Sequence, residues 1–405
     1  MPNYKSIAAH CKSNSKLSCK VVDDWLIHYA AEKDKLEKLF KQRLKPYSNS
    51  AAKLSESNLG MLISQFMAHC IFKEGGLIKK YLNQSQVKLL RPEEYGFLEY
   101  QAVNPWRFCF SVIVDEPAKD FYTMEDVFTA KRFLLYSPGT GVTMRERGQV
   151  LLWLNLIAFN GQCWQTFGPV VGYNSFDQDD IFFFATEVST STSDERTLLE
   201  HMEKDPLPYM MLITGAAFPM TFHKNEEIVY SLGVHQAVNL PMEGIEKAFE
   251  VEYAQGIYQL TQIGWGEFPY YNTAYYNEKE NELLLQSMTD IGFRNLEKAF
   301  AKYGIEQYEY AQVRIHPAML TTVGGILRTD IILNPYEAYF KEDSPEPDSE
   351  EIGKLNALMG LLIPAMNAGK TPDIAAAARK VGVDEDTAIE LMKTLEKQFG
   401  KMKRR

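Results

Sequence analysis

The sequence predicts an α+β, multidomain fold, and three observations carry the prediction. Aromatic and β-branched runs crowd residues 106–188 and are broken repeatedly by turn residues, the mark of a compact all-β module. Helical periodicity dominates the residues before it. After Ser189, strand-like and helix-like stretches alternate until an acidic, proline-bearing segment introduces a last helical part. With 405 residues, 45% of them apolar and 24% charged, the chain is globular. It is also longer than one ordinary core, since domains run to roughly 100–200 residues.

Residues 1–104 form a helical N-terminal region. Residues 1–20 are polar and rich in Ser and Lys, so a loose start is expected. Asp23-Asp24 then charges a helix start. Trp25, Leu26, Tyr29, Ala30, Leu36, Leu39 and Phe40 follow at spacings near 3.6, predicting a helix from Val22 to Lys45. A second helix is expected over Glu56–Phe72, ended by Gly75-Gly76, and a short one over Leu77–Leu82.

Residues 105–188 form a small antiparallel β-barrel-like domain of five or six strands. Asn160-Gly161 predicts a two-residue hairpin, and Pro138-Gly139 predicts a turn. A polar spacer, Ser189–Ser193, separates it from residues 193–340, the α+β sheet part. There Asp194 caps a helix over Glu195–Lys204, Ile228–Val238 and Tyr258–Ile263 read as strands, and a short helix runs from Gly244 to Phe249. Its clearest unit is β-β-α-β. Strands Tyr270–Tyr276 and Leu283–Leu285 precede a helix over Asp290–Tyr303, stopped by Gly304, and a strand Tyr308–Ile315 follows.

Residues 341–351, KEDSPEPDSEE, are an acidic linker with two prolines and no apolar periodicity. Beyond it, 352–405 reads as a C-terminal three-helix module. Its helices are expected from Ile352 to Ala368, over Ile374–Val381 behind the Thr371-Pro372-Asp373 start, and over Asp386–Phe399. The stretch IAAAARKVGVDEDTAIELMKTL, with Ile374, Ala378, Gly382-Val383 and Thr387-Ala388 in place, resembles the helix-turn-helix family across this module. The resemblance implies a second helix lying in the major groove of DNA. Arg379, Lys380, Thr387, Lys393, Lys401, Lys403, Arg404 and Arg405 are then the candidate nucleic-acid-binding residues. The sequence departs from the family at the start of that helix, where Asp384, Glu385, Asp386 and Glu390 place carboxylates toward phosphates. A protein-binding three-helix module is the competing expectation. Within 105–188, the run from the MEDV turn (124–127) to the FLLYSP strand (133–138) resembles the middle region of bacterial proteins that often end in a Cys-rich metal-binding tail, SEC-C. No such tail follows here, the last cysteine being Cys163, so no metal residues carry over.

The chemistry available is limited. A net charge of −10 excludes a polycation built to coat nucleic acid and leaves only a local basic patch. Five scattered cysteines point to a reducing, cytoplasmic setting. No run approaches the ~18–20 apolar residues of a membrane helix. His10-Cys11 with Cys19, and His69-Cys70, lack the paired spacing of a zinc site. No cofactor and no metal is expected. GxSxG, GxGxxG and HExxH are absent. Asp177, Asp179 and Asp180 read as a solvated loop, and His223, His235 and His316 matter for catalysis only if one meets a carboxylate in a cleft. The barrel aromatics, Trp106, Phe108, Tyr122, Trp153 and Trp164 among them, are interleaved with Val, Ile and Leu and read as core. In FPYYNTAYYN (268–277), strand alternation makes Tyr270, Tyr271, Tyr275 and Tyr276 candidate protein-interface residues. The expected function is a cytoplasmic, non-enzymatic binding or adaptor protein whose partner is another protein. The alternative is a nucleic-acid-associated regulator acting through 352–405. No membrane partner is expected.

Overall fold

The computed structural model describes residues 3–308, 310–340 and, further on, 353–354, 357–358, 360–362, 373–384 and 388–389. The chain divides into two compact units, Met1–Leu333 and Asn334–Arg405. The fold is α+β, as the sequence predicts, with a closed five-stranded barrel and a six-stranded antiparallel sheet.

The first unit opens with helix α1 (Tyr4–Ser18), where the sequence predicts a loose start. Asn3 caps it by accepting from Ser6 N–H, and Cys11 is its one buried residue, so no apolar stripe announces it. The chain runs on without a break into a π-helix, Cys19–Leu26. Val21, Val22, Leu26 and Ile27 are all buried, and the pairs Val21/Leu26 and Val22/Ile27 are five apart. That spacing suits i→i+5 bonding and diverges on an α-helix. Helices α2 (Ile27–Lys33), α3 (Leu36–Leu44), α4 (Ser48–Ala51), α5 (Glu56–Phe72), α6 (Ile78–Leu82), α7 (Ser85–Lys88) and α8 (Pro92–Val103) follow.

The barrel has strands β1 (Arg107–Ala118), β2 (Phe121–Asp126), β3 (Arg132–Tyr136), β4 (Leu152–Phe159) and β5 (Trp164–Tyr173), closed in the order β1-β2-β3-β5-β4. One ladder differs from the antiparallel expectation: β3 and β5 pair in parallel through Leu135↔Trp164 and Tyr136↔Gln165. A crossover makes this possible. Pro138-Gly139, expected as a simple turn, begins helix α9 (Pro138–Arg147). Gly141 allows that helix to approach, since a Cβ there would lie 2.9 Å from the Tyr122 hydroxyl. The Asn160-Gly161 hairpin joins β4 to β5 with four residues, not two. Asn160 Oδ1 accepts from the N–H groups of Gln162 and Cys163, both at 2.9 Å, and this turn hydrogen bonding sets the longer loop.

Strand β4 is apolar on both faces, Asn155 excepted, because both faces are covered. Trp153 and Ile157 point into the barrel with Cys109, Tyr122, Met124 and Leu135. Leu152, Leu154, Leu156 and Ala158 point outward, into a large core shared with the N-terminal helices. Trp106 anchors that core: it stacks on Phe72 at 4.3 Å, a contact worth ~0.5–1.5 kcal/mol beyond burial. Helices α10 (Gln178–Val188), α11 (Glu195–Lys204) and α12 (Leu207–Met210) complete it. The carboxylates of Asp177 and Asp180 are not a solvated loop. They form the capping box of α10, and Asp180 is buried.

After a two-strand ribbon, β6 (Phe222–His223) and β7 (Glu226–Glu227), come β8 (Tyr230–His235), β9 (Phe249–Ala254), β10 (Ile257–Gln262), β11 (Thr273–Asn277) and β12 (Glu282–Ser287). Helix α13 (Asp290–Ala301), β13 (Val313–Ile315) and α14 (Pro317–Leu327) end the unit. The sheet order is β13-β8-β12-β11-β10-β9. The expected β-β-α-β unit is present as β11, β12, α13 and β13, but β13 pairs with β8, through Val313↔Leu232. The short helix expected at 244–249 is a single 3-10 turn, Ile245–Lys247, and Phe249 instead opens β9. Gln255 and Gly256, both with positive φ, turn β9 into β10. Leu296 and Phe300 of α13 pack on Leu260, Ala274 and Leu285.

In the second unit, helix α15 (Ile374–Val381) is capped by Asp373, which accepts from Ala376 N–H, and ends at Gly382 in the left-handed region. Ala378 packs with Leu358, Leu362 and Ala388. The rest of the expected first and third helices lies outside the described residues.

Candidate ligand cleft

Three local irregularities meet on one side of the barrel. The first is the π-helix, a distortion frequent at functional sites. The second is a bulge in β5: Leu154 pairs with Val171 and Leu156 with Phe167, so β5 carries extra residues there. The third is Gly168, held at φ +79°, where a Cβ would press on the Gln65 side chain at 3.1 Å. Gln65 Nε2 donates to Phe167 O at 2.9 Å and fixes this approach.

Between them lies a cleft of about 670 Å³, within the ~300–1,000 Å³ of small-molecule sites. Phe97, Trp106, Ala158 and Phe167, all buried, form its floor. Asn14, Ser15 and Ser18 of α1 and Ser57 and Ser64 of α5 form a neutral polar rim. Buried amides support the floor. Gln101 Oε1 accepts from Trp106 Nε1 at 2.7 Å, and Gln101 Nε2 donates to Phe159 O at 3.3 Å. Gln165 accepts from Asn14 Nδ2 at 3.0 Å and Asn160 Nδ2 at 2.7 Å, and donates to Ser15 Oγ at 2.9 Å and Cys11 O at 3.1 Å.

Among the described residues lining the cleft, Asp23 is the one charged group. It comes from the π-helix and sits exposed at the rim. Partial withdrawal from water, and then the neighbouring Asp24, push its carboxyl up to about 6. Cys19 stands beside it, its thiol raised by loss of solvent and by the charges of Asp23 and Asp24.

A second polar convergence surrounds Arg314. Its guanidinium donates to Asp177 at 2.9 Å, Glu227 at 2.7 Å and Asp290 at 3.3 Å. Asp180, raised by burial first and Asp177 second, accepts from His316 N–H at 2.7 Å. A hollow of about 350 Å³ adjoins this cluster. Of the groups that line it, Glu297 accepts from Tyr308 N–H, Arg294 donates to Asp290 O, and Arg314 already pairs with three carboxylates.

The residues singled out from sequence fall elsewhere. Tyr275 and Tyr276 are buried, Tyr271 is exposed, and Tyr270 donates to Glu226 at 3.2 Å and packs on Trp265. The four therefore do not share an exposed face. Arg379 and Lys380 are exposed on α15; Thr387, Lys393, Lys401, Lys403, Arg404 and Arg405 lie outside the described residues. His223 packs edge-on to Phe268, His235 stacks on Tyr308, and His316 caps α14 by accepting from Ala318 N–H. His10 and Cys11 lie beside the β4–β5 turn, and His69 pairs with Glu203. Among the described residues, no group of three or more His, Cys, Asp or Glu is placed to hold a metal ion, and no helix is long and apolar enough to cross a membrane.

Sequence reasoning missed the cleft because Ser, Asn and Gln carry no motif. Two signals could have found it: apolar pairs five apart around Asp23, and amides at Asn160 and Gln165 inside apolar strands. No protein-family model, curated protein or solved structure matches the chain. The fold and the cleft are those of an α+β protein with a preformed small-molecule-sized hollow.

Proposed function

We propose that the protein is a non-enzymatic binding protein whose cleft takes up a small organic cation, an ammonium carried on a ring or short apolar body. One observation carries this reading: the cleft has an aromatic floor, a neutral hydrogen-bonding rim and a single charge, which is negative. The floor supplies apolar contact area and ring faces that attract cations. Asp23 supplies the counter-charge and the rim fixes orientation. The net charge of −10 favours the approach of cations over anions.

The test is calorimetric titration of the full chain with sets of ring compounds matched in shape and carrying an ammonium, no charge or a carboxylate. The ammonium members are expected to bind about tenfold or more tighter than the neutral ones, a difference of about 1.4 kcal/mol, and the carboxylates not at all. Ser64→Trp, which fills the cleft, is expected to abolish the binding. Equal binding of all three kinds, or binding unchanged by Ser64→Trp, defeats the reading.

A carboxyl raised to about 6 in a cleft also favours a second reading, a general base at Asp23. It requires turnover of a bound ligand that Asp23→Asn removes while the neutral ligands still bind.

A further inference from the structure

Where α1 crosses the β4–β5 turn, two cysteines far apart in sequence meet. Cys11 and Cys163 are both buried, and their Sγ atoms lie 3.3 Å apart. Phe121 and Tyr136 of the barrel, with Tyr4 and Ile7 of α1, enclose them. The Asn160 side chain is aimed at both sulfurs, its Nδ2 lying 3.3 Å from Cys11 Sγ and 3.7 Å from Cys163 Sγ. Its Oδ1 is held by two backbone N–H groups, so the amide cannot turn away. Cys109 is as deeply buried, but its thiol faces Asp126 and has no second sulfur at hand.

We propose that Cys11 and Cys163 are a peroxide-oxidisable thiol pair that closes reversibly to a disulfide tying α1 to the β4–β5 turn. Cys11 is the attacking sulfur. The hydrogen bond from Cys163 lowers its thiol, against the cost of burial, and Asn160 and the nearby His10 add to the lowering. Cys163 is shifted the other way, by that same hydrogen bond and by burial, and keeps its proton. The Cys11 thiolate attacks one oxygen of hydrogen peroxide. An S–O bond forms, the O–O bond breaks, and the departing hydroxide takes a proton to leave as water. Cys163 sulfur then attacks the Cys11 sulfenic acid: the S–S bond forms and the S–O bond breaks. The proton of Cys163 leaves with that hydroxide as a second water. Two thiols are oxidised by two electrons and one peroxide is reduced. The sulfurs close from 3.3 Å to about 2.05 Å.

Access sets the choice of oxidant. His10, next to Cys11 in the chain, and Gly161 and Gln162, just before Cys163, are exposed. A molecule of peroxide's size reaches the sulfurs by a small local opening, and a bulky aromatic disulfide does not. The proposal stands apart from the reading of the cleft, although Asn160 Nδ2 also donates to Gln165, whose amide holds the cleft rim.

The experiment treats the full chain with hydrogen peroxide, blocks remaining thiols by alkylation, and maps peptides without reduction. The expected product is a Cys11–Cys163 cross-linked peptide that dithiothreitol releases, with Cys109 still alkylated. Cys11 is expected to react at least about tenfold faster than Cys109, the ratio that one unit of thiol acidity makes in thiolate. In Cys163→Ser, Cys11 accumulates as a sulfenic acid that dimedone traps as the oxidised protein is unfolded; in Cys11→Ser, position 163 traps none. Recovery of both cysteines as alkylated thiols, or their separate oxidation without a cross-link, overturns the proposal. The wild-type map alone decides this if either variant fails to fold.

Discussion

The Arg314 junction and the cleft both gather polar side chains from distant parts of the chain, and they differ in what those groups face. At Arg314, charges face charges. The guanidinium joins the cap of α10 and the first residue of α13 to β7 and β13, and each of its three carboxylates has its answer within the protein. At the cleft, the buried amides of Gln101 and Gln165 are paired within the protein, and Ser18, Ser57, Ser64 and Asp23 line a hollow. A dense cluster of acids and one base is thus a structural tie, and a sparse ring of neutral groups around a single carboxylate is the place proposed for a ligand. The number of ionisable groups is a poor guide; whether their partners are already in the protein is a better one.

Arg314→Ala removes the common partner of three carboxylates and leaves Asp177, Glu227 and Asp290 without their shared cation. A wholly buried ion pair broken on one side costs ~3–5 kcal/mol. Arg314 keeps 24% of its side-chain exposure, Glu227 22%, and Asp177 and Asp290 more, so about 2–3 kcal/mol is expected in denaturant unfolding. Binding at the cleft should be unchanged. Loss of binding at equal foldedness would show that the two regions are one functional unit.

Gln165→Ala tests the cleft side. The change takes the Gln165 amide away from Asn14, Asn160, Ser15 and the Cys11 carbonyl, and a buried polar group that loses its partner costs ~1–3 kcal/mol. Local adjustment and water at the rim bring the expected loss to about 1–2 kcal/mol. Here stability and ligand affinity should fall together, because the same amide holds α1 and shapes the floor. A variant that loses stability alone would place the amide network outside the site.

What could be read in the sequence follows the same division. The barrel is legible because turn residues punctuate long aromatic and β-branched runs, and β4 reads as one apolar run because its alternate residues fill two different cores. The β3–β5 pairing is parallel and carried by a crossover, and such pairing leaves no local trace. Helix α1 is invisible because it buries Cys11 alone. The π-helix hides within the α-helical template, which fits Trp25, Leu26 and Tyr29 and passes over the pairs Val21/Leu26 and Val22/Ile27. Charged clusters draw the eye to Asp177 and Asp180, whose work is capping. The tyrosine run misleads in a simpler way: both flanking ladders of β11 bury Tyr275 and Tyr276.

The smallest effect sharpens the comparison most, because Asp23 predicts two slopes of opposite sign. Its carboxyl stands at about 6 in the folded protein against 3.8 as a free side chain. Between those values the native state holds more of this proton than the unfolded state does, so its contribution to stability falls as pH rises through the window. Asp23→Asn removes that slope. The two proteins should be equally stable below pH ~4, and above pH ~6 the variant should be the more stable. The side chain is exposed, so the difference should stay under ~1 kcal/mol. Ligand affinity runs the other way. In the wild type, binding of an ammonium should strengthen from pH 5 to pH 7 as Asp23 ionises, and in Asp23→Asn it should be flat and weak. Withdrawal from water, and then repulsion from Asp24, disfavour the charged carboxylate in the empty protein, and a bound cation offsets both. The stability slope without the affinity slope would mean that the carboxyl is desolvated but turned away from the ligand. The proposed cation would then have no counter-charge in the cleft.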